Sequence, residues 1–111
     1  MKKVLIGASV ALGLLASSTS AFAAEYGYSS GGRSFTKSWE AYGSGSNWVM
    51  EYGFNTAAIN EDYTHTKHST TSHTAIVKNA NGQYSDNDTK GNWAGIEVTH
   101  SGSSIVYKIV Y

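Results

Sequence analysis

Three histidines, His65, His68 and His73, fall within the ten residues THTKHSTTSH, and no apolar side chain separates them. Imidazole can ligate a metal, carry a proton or change charge near neutral pH, so this segment is the first place to look for chemistry. Spacings of three and five residues satisfy a loose filter for histidine ligands of zinc. Strong zinc signatures add cysteine, or a glutamate set on a helix, and this chain has no cysteine. Glu61, Asp62 and His100 could complete a ligand set only if the fold gathered them. A Ser/Thr-rich surface loop carrying exposed imidazoles explains the same residues, and that is the reading adopted, with no metal and no cofactor expected.

Two other chemistries are tested by spacing. A catalytic nucleophile needs a base and an orienting group in contact with it, yet no G-x-S-x-G elbow marks any serine. DNDTKGNWAGIE places Asp86, Asp88, Gly91 and Glu97 at the first, third, sixth and twelfth positions of a calcium loop. The fifth position is Lys90, a cation where a ligand belongs, and Trp93-Ala94 runs straight into a strand pattern. A polar loop feeding a strand is the better description.

The elements that must position these groups read as strands. NWVMEYGFN alternates Trp48, Met50, Tyr52 and Phe54, the period of a strand with one buried face. SHTAIVKNA runs into Asn81-Gly82, the preferred pair for a two-residue hairpin turn, with a short return over residues 83–85. NWAGIEVTH alternates Ala94, Ile96 and Val98 against Trp93, Glu97 and Thr99. After Ser101-Gly102 the chain ends on Ile105, Tyr107, Ile109 and Tyr111, with Val106 and Val110 on the other side, a pattern expected of a central strand in a terminal hairpin. SFTKSWEAY is an imperfect strand pattern between Gly/Ser-rich stretches. The expectation is an all-β fold, a small antiparallel β-sandwich of five to six short strands. Trp48, Tyr52, Phe54, Trp93, Tyr107 and Tyr111 supply most of its core candidates.

The ends of the chain bear on where it works. Met1-Lys2-Lys3, an apolar run over residues 4–15 and Ala21-Phe22-Ala23 have the order of a cleaved secretory leader. Cleavage between Ala23 and Ala24 would leave 88 residues, 24–111, divided into an N-terminal arm (24–46) and a sandwich domain (47–111). Without the leader, six Lys and Arg stand against eight Asp and Glu, a net charge of −2. That balance argues against nucleic acid and against a peptide drawn to anionic membranes by charge alone. The 88 residues contain no leucine, proline or cysteine, so a released product must hold its core without disulfides. Their 13 aromatics and 21 Ser and Thr leave some Tyr and Trp on the surface, where they can stack on sugars or cover a partner.

Taken in order, several of these pieces resemble the lactococcin 972-type bacteriocins. They are Trp48 followed by Tyr52-Gly53, the Tyr63, His65 and His68 stretch, His73-Thr74-Ala75 opening a strand, and Gly91-Asn92-Trp93-Ala94 before an aromatic last strand. Residues 24–45 have no counterpart in that family's short mature form. The resemblance implies a secreted β-sandwich that arrests related bacteria by binding the lipid-linked wall precursor lipid II, as a homodimer and without catalysis. It names no contact residues. The expected target-binding set is Tyr63, His65, His68, His73 and Trp93, with the histidines making binding sensitive to mild acidity. The rival reading is a non-toxic secreted module that binds carbohydrate or protein through the same aromatic surface.

Overall fold

The computed structural model describes residues 24–111. The expected leader and its cleavage site at Ala23 lie outside the described residues. Eight strands make up the regular structure: β1 (Glu25–Ser29), β2 (Trp39–Ser44), β3 (Trp48–Asn55), β4 (Glu61–His68), β5 (His73–Asn79), β6 (Gly82–Asp88), β7 (Trp93–Thr99) and β8 (Val106–Val110). They form two antiparallel four-stranded sheets, ordered β1-β8-β5-β6 and β2-β3-β4-β7. The all-β class and the antiparallel pairing agree with the sequence, while the strand number rises from five or six to eight.

Alternation explains which side chains meet. Trp48, Met50 and Tyr52 of β3, with Ala94 and Ile96 of β7, pack against Ala75 and Val77 of β5 and Tyr107 and Ile109 of β8 in one buried cluster. Large aromatics stack toward the flanks: Tyr28 lies 5.0 Å from Tyr52, and Trp39 meets Tyr107 edge-on at 5.9 Å. The middle strand of the second sheet contributes small polar groups to this core, for Asp62, Thr64 and Thr66 are fully buried on its inner side.

Four expectations are corrected. The stretch read as an arm, 24–46, supplies an edge strand to each sheet, β1 and β2. The stretch read as a surface loop, THTKHSTTSH, is half strand: β4 runs to His68, β5 starts at His73, and all three histidines are buried. β7 and β8 are not a hairpin, because they pair in different sheets and Ser101-Gly102 carries the chain across between them. The β5–β6 hairpin is present but its turn sits at Ala80-Asn81, with Asn79 opposite Gly82. The Asn79 side-chain carbonyl accepts the Asn81 N–H at 2.9 Å, and Gly82 takes the φ of 141° that opens β6.

Candidate functional site

The register of the second sheet lays its outer face out in rows. Glu40, Gly53, Tyr63 and Glu97 form one row across β2, β3, β4 and β7. Tyr42, Glu51, His65 and Gly95 form the next, followed by Ser44, Val49, Lys67 and Trp93. Glycine at 53 leaves a gap between Glu40 and Tyr63. It also lets β2 settle close, since a Cβ there would lie 2.1 Å from the Trp39 carbonyl oxygen. Over these rows opens a cleft of about 520 Å³, lined by Ser38, Trp39, Glu40, Phe54, Asn55, Tyr63, His65 and Glu97.

The polar groups of the cleft hold one another. The Tyr63 hydroxyl crosses Gly53 to donate to Glu40 Oε2 at 2.7 Å, and the Tyr42 hydroxyl donates to Glu40 Oε1 at 2.6 Å. Burial and then the Glu40 hydrogen bond push the Tyr63 phenol well above the ordinary tyrosine range, so it stays a neutral donor. The same carboxylate raises Tyr42 through its hydrogen bond. His65 Nε2 lies 2.9 Å from Glu97 Oε2, and its Nδ1 lies 4.0 Å from Glu51 Oε1. Carboxylates on either side fix the ring's orientation. Because every one of these side chains stands on a strand, the pattern of donors and acceptors is set before any ligand arrives.

Of the residues singled out from sequence, Tyr63 and His65 line the cleft. Trp93 lies on the same face two rows along, roughly 13 Å away by strand geometry, with Lys67 Nζ 5.9 Å from its ring centre. It was expected in the core and is instead half-buried on the outer face. His68 and His73 turn inward at the far end of the sandwich, their rings 6.4 Å apart, so the histidine cluster is divided between two faces. Glu40, Glu97 and Trp39 were not singled out for this site. The one available clue was that Glu40 and Glu97 occupy outward positions of alternating strands.

A second polar cluster lies inside. Asp62, fully buried, accepts a hydrogen bond from Asn79 Nδ2 at 3.0 Å, and its other oxygen lies 2.7 Å from His100 Nδ1. Asn79 Nδ2 also reaches the Thr99 carbonyl at 2.9 Å. The His100 ring stacks on Phe35 at 4.4 Å and meets Phe54 edge-on at 4.9 Å. This network ties β4, β5 and the end of β7 together on the inner side of the sheet that carries the cleft.

No protein-family model, curated protein or solved structure matches this chain.

Proposed function

We propose that this chain is an exported antibacterial protein that binds a cell-envelope component such as lipid II through the outer-face cleft and makes or breaks no covalent bond. The observation that carries the reading is the cleft itself, with the fixed phenol of Tyr63, the imidazole of His65 and the carboxylates of Glu40 and Glu97 on one face. A concave site with a few rigid polar groups suits sugar rings and short peptides. Glu40, Glu51 and Glu97 share this face, and their charge disfavours a pyrophosphate while favouring hydroxyl and amine donors. The recognised part of a lipid-linked precursor is therefore its sugar and peptide.

The test applies residues 24–111, which contain every described strand, to growing bacteria with and without excess lipid II. Growth arrest relieved by lipid II, and lost in Tyr63→Phe combined with Glu97→Gln, is the expected result. Arrest that lipid II does not relieve removes the proposed target. Binding to wall glycans with normal growth of all strains supports the non-toxic module in place of the antibacterial reading.

A further inference from the structure

We propose that His68 is an acid-released latch that closes the end of the sandwich remote from the cleft. The latch is independent of what the cleft binds. His68 is the last residue of β4, and its ring turns inward. Its Nδ1 lies 3.2 Å from the backbone N of Thr70 and 3.2 Å from that of Thr71, with the Thr70 hydroxyl at 3.4 Å. A backbone N–H can only donate, so Nδ1 is the acceptor and the ring proton sits on Nε2. The imidazolium carries a proton on both nitrogens. Protonating Nδ1 would therefore set an N–H against two N–H groups, and the turn over residues 69–72 would lose its anchor.

More than that turn depends on the anchor. Ser69 N donates to the Asn47 carbonyl at 2.8 Å, and Gly91 N donates to the His68 carbonyl at 2.8 Å. The β2–β3, β4–β5 and β6–β7 connections thus meet at His68 and its neighbour Ser69. The Tyr111 ring lies 4.4 Å from the imidazole, Tyr26 stacks on Tyr111 at 6.2 Å, and Trp48 stacks on Tyr26 at 5.3 Å. Opening this end would uncover that aromatic stack.

The groups around the ring oppose a positive charge on it. His73 on β5 brings a second imidazole within 6.4 Å, and Lys90 stands beside the Gly91 contact in the β6–β7 loop. Tyr111 and Tyr26 present neutral phenols, and Trp48 and Thr66 carry no charge. Asp88 on β6 lies across from His73, not His68, and its Oδ1 accepts the Thr89 N–H. The Tyr111 face could attract a cation weakly, but it supplies no acceptor for Thr70 or Thr71. Burial, with His73 beside it, holds His68 below the usual imidazole value of 6.5. The folded state therefore keeps the neutral ring at neutral pH and gives up the latch on acidification below that value.

Imidazole nitrogen chemical shifts and amide exchange on residues 24–111, followed from pH 7.5 to 4.5, test this. The expected result is an Nε2–H tautomer for His68 at pH 7.5. Protection of the Thr70 and Thr71 amides, corrected for intrinsic exchange, should then fall at least tenfold as His68 titrates, while β3 and β7 amides stay protected. His68→Asn, whose Oδ1 can accept the same bonds and does not titrate, should keep protection at both extremes. His73→Gln should move the transition to higher pH. An Nδ1–H tautomer at pH 7.5 overturns the proposal. So does unchanged protection at Thr70 and Thr71 through the His68 titration, or equal acid loss in His68→Asn. The wild-type shifts and exchange decide the matter even where a variant fails to fold.

Discussion

Asp62→Ala should be among the most damaging single changes in this protein. The carboxylate is fully buried and holds two donors, His100 Nδ1 at 2.7 Å and Asn79 Nδ2 at 3.0 Å. Deleting one partner of a buried pair costs about 3–5 kcal/mol, because the other is left facing a site without water. Two features place the expected loss near the lower limit, about 3 kcal/mol. Asn79 retains the Thr99 carbonyl, and the His100 side chain keeps 16 % of its exposure and can recover a water. A domain of this size has roughly 4–13 kcal/mol in total, so the change removes a large part of it. The corresponding fall in Tm is at least about 12 °C. Urea unfolding of residues 24–111, followed by tryptophan fluorescence and circular dichroism, measures it. Asp62→Asn should lie between the two, since its carbonyl can take one donor while its amide confronts the other. A double-mutant cycle with His100→Ala should show strong coupling. A loss below about 1 kcal/mol, or simple additivity in the cycle, would refute the claim that this network closes the lower half of the sandwich.

Further outcomes follow from the cleft and the aromatics. Gly53→Ala should cost about 1–3 kcal/mol, because its Cβ meets the Trp39 carbonyl, which is backbone and cannot swing away; β2 amide protection should drop with it. Tyr63→Phe should leave the fold intact but remove the hydroxyl donor from the cleft, weakening ligand capture by about 1 kcal/mol, and calorimetry with the isolated target reads this directly. Alkaline pH should destabilise the protein: burial raises Tyr63 and Tyr107 above the ordinary value of 10, so their contribution is complete below pH 10 and is lost as pH climbs through the raised values. Tyrosinate absorbance should accordingly show two classes of phenol, the late one titrating together with unfolding.

Where the sequence spoke through period-two alternation it was legible. β3 and β8 were read with the correct inner faces, because Trp48, Met50 and Tyr52, then Tyr107 and Ile109, are large and apolar at every second place. β4 was hidden for the opposite reason. Its inner positions are Asp62, Thr64, Thr66 and His68, all polar by type, and the methyl groups of threonine do the packing that valine would announce. β1 and β2 were obscured by glycines, one of which is there for contact and not for flexibility: a Cβ at Gly43 would fall within 3 Å of the Tyr28 ring. The cleft was half legible. Tyr63 and His65 drew notice as unusual residue types, whereas Glu40 and Glu97 become neighbours of theirs only through the register of four strands. The inward and outward split of the three histidines could not be read at all without knowing that β4 ends at His68.

The first strand of this chain is hydrogen-bonded to its last, Glu25 opposite Val110 and Ser29 opposite Val106. β8 also lies between β1 and β5, so β1 has no partner in its sheet until the final residues are available. A nascent chain thus has no way to complete that layer early. Closure must join strands about eighty residues apart in sequence, which slows collapse into the finished shape. The same arrangement makes the fold intolerant of losing either partner: deleting 25–29 or 106–110 removes not a tail but the seam.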